Sequence, residues 1–194
     1  ATLSSVDSGR RIIQLPSFDA GECVDIALRE GVTHAMVVPT MLARIVEHME
    51  SHGIDAIPTL RAVSYGGGKM PLPIIERALD LLPNANFVNA YGLTESSSVA
   101  TVIGGQEFLD RPDSVGRPVP VVEIRVVDLQ GDDVIPGAVG EIWIKGPIIM
   151  PGYWNKPEAT AETVTDGWLH SGDLGYQDAE GYVYVTDRAK DMLI

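Results

Sequence analysis

Four short stretches of the chain carry side chains of the kind that nucleotide chemistry uses. The first is NAYGLTESSS, Asn89 to Ser98. It follows an apolar run that reads as a strand, so it falls at a strand's carboxyl end, where open α/β sheets take their ligands. Tyr91 offers a flat face to a base, and Gly92 lets the backbone approach closely. Thr94 offers a hydroxyl to a phosphate oxygen, and Glu95 a carboxylate to Mg²⁺, a hard cation that prefers oxygen. The same residues equally suit a strand running into a helix, with Thr94 as N-cap and Glu95 in the first turn.

The second stretch is GWLHSGDLGY, Gly167 to Tyr176, where Asp173 reads as lying between glycines on a tight turn. A short carboxylate there can grip two ribose hydroxyls, or simply accept from its own backbone as an Asx turn. His170 in this stretch reads as a packing residue or a loop hydrogen-bond partner. The third is YVTDRAKDMLI, Tyr184 to Ile194, in which Arg188 and Lys190 follow a strand and could serve a ligand or be solvated charges. The fourth is SYGGGKMP, whose Gly66, Gly67 and Gly68 could let a ligand lie flat on the backbone or merely turn the chain before a helix.

Positioning these groups takes a scaffold, and the sequence pattern describes one. Helical spacing over residues 19–31 puts Cys23, Ile26, Ala27 and Leu28 on a buried side. A β-branched run at 33–38, a helix at 40–49, strands at 60–64 and 86–90 and a helix at 72–82 continue the alternation. Strands alternating with helices of about ten residues predict a parallel sheet with helical crossovers. Beyond residue 115 the texture changes: 121–127, 140–145 and 181–186 are apolar or alternating, and LQGDD and AEGY read as hairpin turns. The expected fold class is therefore α/β. Residues 1–112 form a partial doubly wound parallel-sheet lobe, and 113–194 a small, mainly antiparallel, barrel-like lobe.

Composition limits the partners. The 194 residues carry 27 acidic and 14 basic side chains, a net charge of -13, which disfavours nucleic acid and acidic membrane surfaces. A single cysteine, Cys23, can form no internal disulfide and fits a reducing compartment. No apolar run reaches the roughly 20 residues of a membrane span, and no signal pattern opens the chain. Cytoplasm is the simplest expectation. The chain opens in polar coil with the α/β pattern already under way and stops inside the apolar DMLI, so both ends read as cut.

Taken together and in order, YGLTE, GEIWIKGPIIMPGYWNKPEATAET, DGWLHSGDLGY and GYVYVTDRAKDMLI resemble the motifs of the adenylate-forming superfamily. That superfamily includes acyl-CoA synthetases, peptide-synthetase adenylation domains and beetle luciferases. VTHAMVVPTMLARI is similar to the acyl-CoA synthetase pattern near the acyl pocket. The resemblance implies that Tyr91 stacks on adenine within the Asn89–Gly92 segment, with Gly66, Gly67 and Gly68 as another wall. It gives Thr94 the adenylate phosphate, Glu95 the Mg²⁺, Asp173 the ribose hydroxyls with Arg188 assisting, Val185 a flanking position (or plain core) and Lys190 the hinge to a C-terminal lid. It implies ATP and Mg²⁺, a carboxylic acid substrate and coenzyme A as acyl acceptor.

The resemblance also implies segments that these residues do not contain: the Ser/Thr/Gly-rich phosphate loop, an aromatic or His-bearing motif before the acyl pocket, and the lid with its catalytic lysine. The expectation is that the 194 residues alone do not turn over, and that faces exposed by truncation support self-association. LHSGDLG, DRAKDMLI and Leu93 in YGLTE resemble acyl-CoA synthetases, fatty acyl-CoA ligases most of all, more than peptide adenylation domains. An acyl-AMP ligase or adenylation domain loading a carrier protein, and a non-catalytic nucleotide-binding module, are the other two readings.

Overall fold

The computed structural model describes residues 2–68, 70–97 and 99–188. The chain divides into two compact units, Ala1–Phe87 and Val88–Ile194. The change of texture expected at 110–113 falls inside the second unit.

In the first unit a short helix, α1 (Thr2–Asp7), precedes α2 (Ala20–Glu30), β1 (His34–Val37), α3 (Pro39–Ser51), β2 (Ala62–Gly66) and α4 (Leu72–Leu81). α2 begins where Asp19, in extended conformation, accepts the Glu22 amide at 2.9 Å, a cap that contributes about 1 kcal/mol. It ends at Gly31, whose φ of 64° is the left-handed stop that glycine takes without strain. Its buried residues are Ala20, Val24 and Ala27, and Leu28 is exposed. The buried face is thus rotated from the expected one: the stripe follows the 20, 24, 27 spacing of the helix, with Val24 at its centre. α3 starts at Pro39, which needs no amide at a first-turn position, and buries Leu42, Ile45, Val46 and Met49. β1 and β2 pair in parallel, His34 to Val37 against Ala62 to Tyr65. This parallel pair, flanked by helices, is the predicted α/β pattern.

The second unit is mainly antiparallel. β3 (Asn86–Tyr91) pairs antiparallel with β4 (Thr101–Gly104), which leads into α5 (Gly105–Asp110) and pairs with β5 (Arg117–Pro118). The fold is therefore mixed, parallel and antiparallel, with a second, curled sheet in the order β10-β9-β7-β6. Its strands are β6 (Glu123–Val127), β7 (Gly140–Lys145), β9 (Trp168–Gln177) and β10 (Val183–Arg188), with α6 (Pro157–Thr163) and the two-residue β8 (Val164–Thr165) beside β9. On β7 the alternation is plain: Ile142 and Ile144 face the core while Glu141, Trp143 and Lys145 point the other way. The core joins Ile142 and Ile144 to Ala100, Val122, Leu169 and Val183, and Tyr91, Leu93 and Val185 pack against it.

Both expected hairpin turns are turns of one design. Asp178 accepts the amides of Glu180 and Tyr182, each at 2.9 Å, and Gly181 supplies a φ of 86°. Asp128 accepts the amides of Gln130 and Asp132 with Gly131 at φ 84°. Among the described residues no helix is long and apolar enough to cross a membrane.

Candidate functional site

β3 delivers Tyr91 to the end of its strand, and β9 and β10 supply its partners. The Tyr91 hydroxyl donates to Asp173 Oδ2 at 2.7 Å, and Arg188 Nε donates to Asp173 Oδ1 at 3.1 Å. Asp173 is only 4% exposed, whereas the Arg188 side chain is 65% exposed. A carboxylate buried to that degree needs both charge and hydrogen bonds around it, and here it has a guanidinium on one oxygen and a phenol on the other. Burial, then the Asp173 charge and the bond to it, raises the Tyr91 hydroxyl far above the ordinary tyrosine range, so it remains a donor. Each carboxylate oxygen has two acceptor positions, which leaves room for a pair of vicinal hydroxyls.

Asp173 does not sit on the expected tight turn. It lies within β9, at an irregularity of the ladder. Glu141 of β7 pairs with Leu174 and Trp143 pairs with His170, so three residues of β9 oppose one of β7. This bulge lifts Ser171–Asp173 out of register, with Gly172 at φ 70°. The amides so freed find side chains: Asp173 N–H donates to Ser171 Oγ at 3.0 Å, and Gly172 N–H to Glu141 Oε1 at 2.9 Å. Across from it Arg188 is the registered partner of Asp173 on β10, beyond a second irregularity between Val185 and Asp187.

The YGLTESS segment likewise differs from a strand running into a helix. Ser96 is fully buried; its Oγ accepts from Leu93 N–H and donates to Leu93 O, both at 2.9 Å. Ser97 N–H donates to Thr94 O at 2.9 Å with φ 56° at Ser97. The chain makes a tight turn and returns as β4, leaving Gly92 and Thr94 exposed. Glu95 is half-buried: its carbonyl accepts the Met150 amide at 2.8 Å, and its Oε1 the Tyr153 hydroxyl at 2.7 Å. That bond is the first cause of a raised Tyr153 hydroxyl pKa. Among the described residues no three His, Cys, Asp or Glu side chains gather as a protein-only metal cage. A single fixed carboxylate is nevertheless what Mg²⁺ commonly takes beside phosphate oxygens and water, and Glu95 fits that requirement.

The other expected residues are placed as follows. Asn89, 8% exposed, donates through Nδ2 to the Ser114 carbonyl at 2.9 Å, so its amide ties β3 to the 114–117 segment. Val185 packs against the core cluster, as strand valines commonly do. Gly66 ends β2 in the first unit, and Gly67 and Gly68 follow it exposed, Gly67 at φ 79°. Lys190 lies outside the described residues. His170 stacks on Trp143 with centroids 4.0 Å apart and planes at 9°, a packing role.

Sequence reasoning did not single out Tyr153, Glu141 or Ser171. Tyr153 stands in the GYWNKP motif, and Glu141 is the second residue of GEIWIKG. Both bond to residues tens of positions away, Tyr153 to Glu95 across 58 and Glu141 to Gly172 across 31. No local spacing could show those pairs.

A family model described as AMP-binding enzyme matches residues 2–154. The chain belongs to the AMP-binding enzyme family. It is 36% identical over 195 residues to a fatty acid–acyl-carrier-protein ligase of Streptomyces coeruleorubidus, covering 97% of the chain and 36% of that relative. It is 37% identical to a feruloyl-CoA synthase of an Amycolatopsis species, covering 99% and 38%. The structure of O-succinylbenzoate coenzyme A synthetase from Bacillus subtilis, in complex with ATP and magnesium ion, superimposes with a TM-score of 0.87 at 32% identity, covering 99% of the chain and 39% of that protein. The chain thus spans little more than a third of the length of these relatives.

Proposed function

We propose that this AMP-binding-family chain is the base- and ribose-holding part of an ATP-dependent acyl-CoA ligase, one that activates a carboxylic acid with an apolar body, fatty acids included. The observation that carries the reading is the buried Asp173 carboxylate held between the Tyr91 hydroxyl and Arg188 Nε. In this reading the Tyr91 ring lies against adenine and Asp173 accepts both ribose hydroxyls, with Arg188 beside it. Thr94, exposed at the turn, donates to the phosphate of the adenylate. Glu95, steadied by Tyr153, is the carboxylate for Mg²⁺, which when bound neutralises charge on phosphate oxygens. In the family pattern Gly66–Gly68 belong to a wall of the adenine and acyl site, and Lys190 to the hinge.

The reaction is one of positioning and charge neutralisation. A carboxylate oxygen of the acid bonds to the α-phosphorus of ATP as the bond to pyrophosphate breaks. A thiol sulfur then bonds to the acyl carbon, AMP leaves, and the thiol proton passes to solvent. The 194 residues by themselves hold no phosphate-loop motif and, in this reading, do not turn over. A carrier-protein thiol in place of coenzyme A is the second reading, favoured by the carrier-protein ligase among the relatives.

Calorimetry with a non-hydrolysable acyl-adenylate mimic tests the site. Loss of a buried charge-assisted partner in Asp173→Ala costs roughly 1.5–3 kcal/mol, about tenfold or more in affinity. Equal binding by both proteins would remove Asp173 from the site.

A further inference from the structure

Asp173 owes its position to the bulge in β9, and that bulge needs partners for the two amides it frees, those of Gly172 and Asp173. Glu141 partners the Gly172 amide, and both of its oxygens are engaged: Oε1 accepts Gly172 N–H at 2.9 Å, and Oε2 accepts Trp143 Nε1–H at 3.0 Å. Trp143 in turn stacks at 4.0 Å on His170, on the other side of the bulge from Leu174. The carboxylate therefore reaches from the outward face of β7 to the Ser171–Gly172 peptide, while the next peptide N–H, that of Asp173, is held by Ser171 Oγ at 3.0 Å. Among the described residues Gly172, at φ 70°, has no ladder partner on β7, so the Glu141 bond, together with the Ser171 bond to the Asp173 amide, sets where Asp173 points.

We infer that Glu141 is a positioning residue: through the Gly172 amide it fixes the Ser171–Gly172 peptide, one peptide ahead of Asp173, and so aims the Asp173 carboxylate at the ribose site. The last step rests on the ribose role proposed above for Asp173; the first does not. Glu141 touches neither base nor ribose in this scheme. It acts through Asp173, which the Tyr91 and Arg188 bonds hold from the opposite side. Trp143, bonded to the other oxygen at 3.0 Å, restrains the Glu141 side chain from rotating away.

The experiment compares the wild-type chain with Glu141→Ala and Glu141→Gln by two readouts. Amide hydrogen exchange measures the local effect without any ligand. Glu141→Ala is expected to speed Gly172 exchange at least tenfold while Leu169 and Ile144, fully buried in the neighbouring ladder, keep their protection; Glu141→Gln, which retains a carbonyl acceptor, recovers most of it. Equal loss of protection at Leu169 would make Glu141 a general brace of the sheet, and unchanged Gly172 exchange would show that it fixes nothing; either overturns the inference. Calorimetry with AMP and with its 2′,3′-dideoxy analogue measures the consequence for the site. The wild type is expected to prefer AMP about tenfold, Glu141→Ala to lose most of that preference with little change for the dideoxy analogue, and Glu141→Gln to fall between. A wild type that prefers AMP and a Glu141→Ala variant that prefers it equally would overturn the aiming role. A wild type with no such preference would overturn the ribose reading of Asp173, leaving the exchange data to decide the local claim.

Discussion

Replacing Tyr91 by Phe removes one oxygen from the centre of the second unit and leaves the ring that packs against the core cluster. No cavity is made, so the measured change isolates the hydroxyl. That hydroxyl donates at 2.7 Å to a carboxylate that is 4% exposed. In the variant Asp173 keeps the Arg188 bond on Oδ1 and loses its donor on Oδ2. A hydrogen bond to a buried charged group contributes about 1.5–3 kcal/mol, and for a chain of this size that is roughly 3–12 °C in melting temperature. Urea unfolding followed by tryptophan fluorescence measures it, and a double-mutant cycle with Asp173→Ala assigns it: the pair should be coupled by about 1 kcal/mol or more. The variant should also respond differently to alkali. The Tyr91 pKa is raised in the fold, by burial first and Asp173 second. The neutral phenol is therefore stabilising below the unfolded tyrosine pKa of about 10, and that contribution is lost as pH rises above it. The wild type should lose stability more steeply than Tyr91→Phe above about pH 10. Single-variant costs that add within about 0.5 kcal/mol, with parallel alkaline limbs, would refute the argument that this bond holds the triad together.

Two further substitutions test the scaffold. Gly116 has φ 90°, and a Cβ there would lie 2.0 Å from the Val102 carbonyl oxygen; Gly116→Ala should cost more than about 3 kcal/mol, since backbone strain of 1–3 kcal/mol is compounded by a clash with main chain, and a denaturation midpoint near that of the wild type would contradict it. Ile142→Ala, at a fully buried position of the sheet core, should cost about 2–5 kcal/mol, whereas Ile135→Ala, 77% exposed, should stay within about 0.5 kcal/mol; similar values for the two would mean the core is elsewhere.

The legibility of the chain follows the range of the interactions involved. Asp19 and Gly31 bracket α2 because both caps act within a few residues of the helix they bound, so its limits were readable. The buried face was less so, since Cys23, Ile26 and Leu28 are as apolar as Val24 and only the neighbouring α3 selects among them. β4 and α5, four and six residues long, are too short for a period to emerge from TVIGGQEFLD. Gly172 drew Asp173 into an expected turn because a glycine at positive φ has the same local signature in a turn and in a bulge. The ladder on both sides decides which it is. Tyr91, Asp173 and Arg188 were legible because each stands inside a motif, and the motifs follow one another in a fixed order. Tyr153, Glu141 and Ser114 went unmarked because each acts on a residue brought near only by the fold.

The triad also explains why site and fold are inseparable in the second unit. Taking a carboxylate out of water is costly unless the fold replaces its hydration. Asp173 obtains that replacement from Tyr91 on β3 and Arg188 on β10 while itself belonging to β9. The bonds that keep the charge tolerable therefore also fasten three strands. Asn89 and Ser114 extend the same tie: Ser114 Oγ donates to Val183 O at 2.9 Å, and Val183 N–H donates to Gly116 O at 2.8 Å, so β3 is joined through residues 114–116 to β10 a second time. A ligand whose hydroxyls bind Asp173 adds donors to a carboxylate already held at the junction of these strands. It should consequently stabilise β3, β9 and β10 together, and the gain should vanish in Asp173→Ala along with the junction itself.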